Sequence, residues 1–276
     1  MFLWDMSLAF DRLHYFKGIA SYLERHGYDV HHTNVSFAAG VEKRASEMAV
    51  QIRQILAETG QEKIHIIGHS MGGLDARQML YQERAMAASV ASVTSIGTPH
   101  NGTVLADYAL AHGGEEVLAT LRPFFDLDGF LTLTQTKRQA FNEVAEEWEA
   151  SNPVLYQTYA GSQEFENIML LLKGSYQFLY EQAGDNDGLV PVSSQLWTNE
   201  LVAADGTVKR IVQRPFPVPV DHFNEVGWWD LQELSGIRWW RRNLRKEKNA
   251  FETAVKEAYL EIVREVTTAV SPSSTG

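Results

Sequence analysis

The feature that most restricts the fold of this chain is a serine between glycines at the junction of a strand and a helix. The sequence GHSMG at residues 68–72 follows the apolar run 64–67 and precedes a helical pattern that we predict to begin at about Leu74. So sharp a turn crowds the backbone, and flanking glycines relieve the crowding. The turn would lift the Ser70 hydroxyl out of the sheet, at the positive end of the following helix.

Alternating strand and helix patterns along the chain predict an α/β fold in which a mostly parallel sheet is flanked by helices. Strands are predicted at 29–35, 64–67, 90–96 and 154–159, and further helices at 41–56 and 251–266. A chain of 276 residues suits one large domain, which we place at 1–270. The tail 271–276 is expected to be flexible.

The alternation is interrupted at residues 104–148, a stretch rich in leucine, phenylalanine and alanine. Two interpretations remain open for it. The stretch could be a pair of connecting helices packed on the core. Its first part, about 104–135, could instead be a helical lid with an apolar underside.

Composition excludes several classes of function. The net charge of −11 would repel phosphate backbones, so nucleic acid is not expected as a partner. The chain has no cysteine, which excludes disulfides, thiol catalysis and cysteine-ligated zinc. No apolar run approaches the ~18 residues of a membrane-spanning helix, and the apolar start of the chain lacks the basic residues of a signal peptide. A soluble protein without a transmembrane anchor is therefore expected.

A serine hydroxyl needs a base, and the base needs a group that orients it. Asp187, in the acidic turn 184–188, and His222 follow Ser70 in the order nucleophile, acid, base. Taken singly, Asp187 could cap a turn and His222 could be a surface histidine, and a glycine-rich turn could bind phosphate. Together the three residues favour nucleophilic catalysis. His69 should point away from the hydroxyl, and His100 more plausibly supports the nucleophile loop.

Five segments, in this order, resemble the true-lipase group of bacterial triacylglycerol lipases, within the α/β-hydrolase superfamily. They are FDRL at 10–13, GHSMGGLDAR at 68–77, SVTSIGTPHNGT at 92–103, NDGLV at 186–190 and DHFNEVG at 221–227. The resemblance implies a catalytic triad of Ser70, Asp187 and His222, with Asp75 and Arg77 as structural neighbours of the turn. It also implies a lid at 104–135, secretion, and cleavage of esters of hydrophobic acyl chains through an acyl-enzyme on Ser70.

The resemblance assigns the oxyanion donors to the backbone N–H groups of Met71 and Ser7. Where the family has His-Gly at the end of its first core strand, this chain has Asp5-Met6. A carboxylate there would oppose a developing oxyanion unless it points away. We therefore expect a first core strand that is shortened, and an N-terminus that is incomplete or altered.

Many members of this group hold calcium with two aspartates, one of them two residues after the catalytic histidine. That position is Asn224 here, and the second ligand falls near Asn167. Asparagine lacks the charge that strengthens such a site, so no metal or other cofactor is predicted to be required. The tryptophan pairs 228–229 and 239–240 could touch a lipid interface transiently, although we favour an internal anchor for a helix.

Two further functions stay open. A short-chain carboxylesterase would share the whole triad. A non-catalytic hydrolase-like binding protein would account for the altered strand at Asp5.

Overall fold

Six parallel strands form one central sheet in the computed structural model, which describes residues 2–5, 15–36, 39–112, 127–228 and 244–270. The sheet order is β2-β1-β3-β4-β5-β8, and β6 and β7 form a separate antiparallel hairpin. The strands are β1 (Phe2–Asp5), β2 (His31–Asn34), β3 (Ile64–His69), β4 (Val90–Ile96), β5 (Leu155–Ala160), β6 (Glu200–Val202), β7 (Val208–Arg210) and β8 (Val212–Pro215). The expected parallel α/β architecture is confirmed.

Helices connect successive strands of the sheet. They are α1 (Ile19–Glu24), α2 (Val41–Thr59), α3 (Met71–Gln82), α4 (Val104–His112), α5 (Leu127–Leu131), α6 (Gln135–Ser151), α7 (Lys173–Ala183), α8 (Val192–Gln195) and α9 (Leu244–Val270). Short 3₁₀ turns lie at Arg84–Ala88, Phe165–Asn167, Leu170–Leu172 and Asn224–Val226. Among the described helices, none combines the length and the apolar character needed to cross a membrane.

Most element boundaries lie within two residues of the prediction. Helix α2 ends, as predicted, at Gly60, whose φ of 67° closes the helix in the left-handed region. Helix α3 begins at Met71, three residues before the predicted start, because the nucleophile turn leads directly into helical backbone. Strand β8 was not predicted. Its pattern is polar and ends in proline, so only its pairing with β5 at the sheet edge defines it.

Two apolar clusters divide the interior. The larger joins the sheet to α1, α2, α3 and α9, and all seven residues of β4 are buried in the molecule. Burial of every residue is typical of a strand that is covered on both faces. The smaller cluster consists of residues that follow the carboxyl ends of the strands and of residues from α4, α5 and α7. In a parallel sheet the carboxyl ends of all strands lie along the same edge. Residues 70, 187 and 222 come together at that edge.

Candidate active site

Ser70 occupies a strained position between β3 and α3. Its φ of 54° and ψ of −127° make it the one non-glycine residue with positive φ in the described part of the chain. Such a conformation costs about 1–3 kcal/mol and persists only when its surroundings enforce it. The Ser70 N–H donates to the Ile96 carbonyl at 2.9 Å, which anchors the turn to β4. This is the sharp turn predicted from the sequence.

The glycines around Ser70 allow close approach between segments. A Cβ atom on Gly68 would lie 2.6 Å from the backbone of Gly72 and Gly73. A Cβ atom on Gly73 would lie 2.3 Å from the Thr98 hydroxyl oxygen. Neither glycine has a positive φ, so packing rather than backbone freedom requires them.

The three residues predicted as a triad form one chain of hydrogen bonds. The Ser70 hydroxyl lies 2.9 Å from His222 Nε2, and His222 Nδ1 lies 2.8 Å from Asp187 Oδ2. All three side chains are buried. With Nδ1–H donating to the carboxylate, Nε2 is left to accept the hydroxyl proton. The arrangement can therefore deprotonate Ser70 as it attacks an electrophile.

Asp187 is oriented by several donors besides the imidazole. Its Oδ1 accepts the N–H groups of Leu189 at 2.8 Å and Val190 at 2.7 Å, and its Oδ2 accepts Gln195 Nε2–H at 3.1 Å. The Asp187 carbonyl accepts the His222 N–H at 2.8 Å. These bonds fix the carboxylate against the ring. Gln195 was not identified from the sequence, which shows no motif around it.

A second buried chain of hydrogen bonds lies beside the triad. His69 is 2.8 Å from Glu225 through Nε2 and 2.7 Å from the Tyr15 hydroxyl through Nδ1, so it does not bond to the Ser70 hydroxyl. The His69 and His222 rings are 4.6 Å apart. Burial raises the pKa of Glu225 well above its ordinary value, and Asp187 adds to this. Burial lowers the pKa of His69 well below its ordinary value. Glu225 was missed at the sequence level.

Within the described residues, one group has metal-ligand geometry: His69, His222 and Glu225, with ligand atoms within 4.8 Å of one another. Every ring nitrogen of the two histidines already has a hydrogen-bond partner. The group therefore fits a hydrogen-bonded network better than a metal centre.

The residues at the expected calcium positions do not fit that ion. The Asn224 Oδ1 accepts the Asp221 N–H at 3.2 Å, while its amide donates to the Trp228 carbonyl at 2.9 Å. Asn167 is exposed. The Asp221 carboxylate directly accepts the Met169 N–H at 2.8 Å, and burial raises its pKa to about 6. Hydrogen bonds within the protein thus tie these loops together.

Of the two expected oxyanion donors, Met71 lies in the described part of the chain. Met71 is the first residue of α3, and the N–H groups of a first helical turn have no acceptor within the helix. Ser7 lies outside the described residues, as do the lid residues 113–126, Trp229, Trp239, Trp240 and the tail 271–276. Strand β1 ends at Asp5 and lies between β2 and β3.

The smaller apolar cluster includes residues that lie close to the triad positions in the chain. Met71, Leu189, Val190 and Phe223 closely follow the three triad positions in the chain, and all belong to the smaller apolar cluster. From the segment proposed as a lid, that cluster includes Leu105, Ala106, Ala109, Phe130 and Leu133. The described parts of this segment therefore pack beside the site, as either interpretation requires. That the segment acts as a lid stays a prediction.

Asp75 and Arg77 join α3 to its neighbours through buried ion pairs. Arg44 Nη2 lies 2.7 Å from Asp75, and Arg77 Nε lies 2.8 Å from Glu149. Arg77 also contacts His100, which stacks on Trp197. These contacts hold α3, the helix that follows Ser70, against its neighbours. The role of Asp75 and Arg77 is therefore structural.

Comparison with known proteins identifies the same architecture. The model of the alpha/beta hydrolase fold family matches residues 10–167, more than half of the chain. The chain is 42% identical over 97 residues to a triacylglycerol lipase of Pseudarthrobacter phenanthrenivorans, covering 34% of this chain and 30% of that protein. It is 26% identical over 245 residues to triacylglycerol lipase 2 of Saccharomyces cerevisiae, covering 86% and 69% of the two chains.

Solved structures support the fold. Staphylococcus hyicus lipase superimposes with a TM-score of 0.65 at 17% identity, covering 97% of this chain and 95% of that one. Mature Bacillus licheniformis lipase BlEst2 gives 0.61 at 22% identity, covering 80% and 83%. The sequence match spans 30% of the lipase of Pseudarthrobacter phenanthrenivorans and 26% of a triacylglycerol lipase of Burkholderia plantarii, so this chain matches less than a third of either protein.

Proposed function

The chain belongs to the alpha/beta hydrolase fold family, and we propose on that basis that it is a carboxylic ester hydrolase, a triacylglycerol lipase, acting through an acyl-enzyme on Ser70. The observation that carries the proposal is the buried chain of hydrogen bonds from Ser70 through His222 to Asp187. Its relatives include proteins named triacylglycerol lipase, which agrees with this chemistry.

Acylation begins when Ser70 Oγ attacks the ester carbonyl carbon and its proton passes to His222 Nε2. Asp187, 2.8 Å from Nδ1, orients the ring and stabilises the imidazolium. The imidazolium then gives the Nε2 proton to the departing alkoxide. The carbon–oxygen bond of the ester breaks, an alcohol leaves, and the acyl group stays on Ser70.

Deacylation repeats these steps with water. His222 Nε2 takes a proton from water as the oxygen attacks the acyl carbon, and then returns that proton to Ser70 Oγ as the fatty acid leaves. In both steps the N–H of Met71, with that of Ser7 as the second proposed donor, would stabilise the carbonyl oxygen. One such donor is typically worth ~10²–10³ in rate.

The proposed preference for a hydrophobic acyl group is supported by the smaller apolar cluster. Met71, Val190 and Phe223 directly follow or lie close after the triad residues in the chain and belong to this cluster, so an acyl chain bound against it would be removed from water. A short-chain carboxylesterase would need less of this surface. Kinetics on esters of increasing acyl length decide between the two: a lipase gains kcat/KM with chain length, whereas an esterase peaks at short chains.

Covalent labelling tests the proposed mechanism directly. A fluorophosphonate probe should label the wild-type protein on Ser70, and Ser70→Ala should abolish labelling while leaving the thermal transition in place. Ser95→Ala, which removes another buried serine hydroxyl, serves as the matched control. Failure of the folded wild-type protein to react would favour a non-catalytic binding protein.

Secretion and transient contact with a lipid surface are further parts of the proposal, supported by the resemblance to bacterial lipases. Fractionation of the source cells and flotation of the protein with phosphatidylcholine vesicles test them. Recovery of the protein only inside cells, or failure to float, would contradict the corresponding part.

A further inference from the structure

A buried hydrogen bond connects the nucleophile turn to the loop that carries the catalytic base. His69 immediately precedes Ser70, and Glu225 lies three residues after His222. The bond between His69 Nε2 and Glu225 Oε2, at 2.8 Å, joins these two segments, and both side chains are fully buried. The mechanism described above uses neither residue.

The fold forms a slot that fits the Glu225 carboxyl. A Cβ atom on Gly97 would lie 2.0 Å from Glu225 Oε2, and one on Gly161 would lie 2.0 Å from Oε1. These glycines follow the carboxyl ends of β4 and β5. On the other side, the Tyr259 hydroxyl of α9 donates to the Glu225 carbonyl at 2.9 Å. The side chain of Glu225 therefore lies against the ends of β4 and β5, while α9 holds its backbone.

We propose that His69 and Glu225 are a positioning pair, whose mutual hydrogen bond holds the His222 loop at the distance from the nucleophile turn that proton transfer requires. The inference rests on the proposed function, because it concerns the rate at which Ser70 is activated. Neither residue forms a hydrogen bond with the reacting atoms of Ser70 and His222: His69 acts through Ser70, which follows it, and Glu225 acts through the loop that carries His222.

The pair acts through a neutral hydrogen bond. The titratable groups facing Glu225 are His69 on β3, His222 and Asp221 on its own loop, Asp187, Tyr259 on α9, and Tyr15 beyond His69. Burial, and then the charge of Asp187, oppose a second carboxylate at this position, and together they raise the pKa of Glu225. The neutral carboxyl of Glu225 donates its O–H to His69 Nε2. The Nδ1–H of the same imidazole then donates to the Tyr15 hydroxyl.

Geometry explains why this bond should affect the rate. The Ser70–His222 distance of 2.9 Å is set by two loops that approach each other from distant parts of the chain. A misplacement of ~1 Å between reacting groups can cost ~10²-fold in rate. Loss of the His69–Glu225 bond should therefore lower kcat and leave KM, which depends on the apolar cluster, nearly unchanged.

The test compares two replacements of Glu225 that differ in hydrogen bonding. Glu225→Gln keeps the shape and an N–H donor to His69, whereas Glu225→Leu removes the bond. We expect the Leu variant to lose ~10–10²-fold in kcat and in the rate of fluorophosphonate labelling, and the Gln variant to stay near the wild-type rates. His65→Gln is the matched control, because His65 lies on the same strand and bonds to Ser92 instead.

Four outcomes separate the possibilities. If the wild-type protein is not labelled, the proposed function fails. If it is labelled and folded Glu225→Leu reacts equally fast, the positioning pair is overturned. A Gln variant as slow as the Leu variant would also overturn it, since charge rather than hydrogen bonding would then matter. A slow Leu variant with a fast Gln variant supports the pair.

A second variant covers the case in which Glu225→Leu does not fold. His69→Phe removes the same bond from the other side while keeping an aromatic ring. It should show the same fall in kcat with little change in KM, and wild-type kinetics would refute the proposal. In the double variant the losses should not add, because the two residues act as one unit.

Discussion

The Oγ atom of Ser70 lies 2.9 Å from Nε2 of His222, although 152 residues separate the two in the chain. The strained backbone at Ser70 and the bonds that fix Asp187 hold this distance. Proton transfer from the hydroxyl therefore requires no rearrangement of the triad itself. Such preorganisation is what electrostatic catalysis needs.

Ser70 and His222 should behave as one catalytic unit. Ser70→Ala and His222→Ala should each lower kcat for a soluble p-nitrophenyl ester by ~10⁴-fold or more, and the double variant should be no worse than either single one. Steady-state kinetics on the three variants check this, with thermal unfolding as the control for folding. Losses that multiply would show that the two residues act independently.

The ion pair between Arg77 and Glu149 should matter for stability. Arg77 Nε and Nη2 each lie 2.8 Å from a Glu149 oxygen, and neither side chain is exposed by more than 1%. Arg77→Met should cost about 3–5 kcal/mol, because it leaves a buried carboxylate unpaired. Adding Glu149→Met to this variant should recover part of the lost free energy of unfolding, because no buried charge is then left unpaired. Urea denaturation measures both effects.

A surface ion pair supplies the control for that experiment. Arg53 and Glu83 are paired but partly exposed, so Arg53→Met should change the free energy of unfolding by about 1 kcal/mol or less. An Arg77 variant no less stable than the Arg53 variant would contradict the structural role of Arg77.

His65 should make the protein lose stability in acid. Burial lowers its pKa from 6.5 to about 4, so the unfolded chain binds a proton more readily than the folded one. The contribution to stability is complete above pH 6.5 and falls as the pH drops towards 4. Melting temperatures of the wild type and His65→Gln should therefore shift in favour of the variant below pH ~6.5. Parallel curves would refute this.

Calcium should be dispensable. Asn224 is hydrogen-bonded within its own loop, and Asp221 already joins that loop to Met169. Addition of a chelator or of excess calcium should therefore leave both the melting temperature and the rate of ester hydrolysis unchanged. A rise in melting temperature with calcium, reversed by the chelator, would show a site that these contacts do not reveal.

Local signals were enough to predict four of the six strands of the sheet and the nucleophile turn. The apolar run before Ser70 and the glycines around it act over a few residues, so a strand, a sharp turn and a helix follow from neighbouring side chains. Asp187 and His222 were identified because they follow Ser70 in the order nucleophile, acid, base, and because the segments around them resemble those of bacterial lipases. The predicted roles of Met71 and Ser7 remain predictions, and Ser7 lies outside the described residues.

Other features depend on which distant segments meet. No local pattern distinguishes Glu225 from an exposed glutamate, and its burial arises only where β4, β5 and α9 close around it. Gln195 becomes a partner of Asp187 for the same reason. Strand β8 exists because β5 offers it an edge. Burial and pairing between distant residues change the protonation and the roles of side chains, and only the tertiary structure determines them.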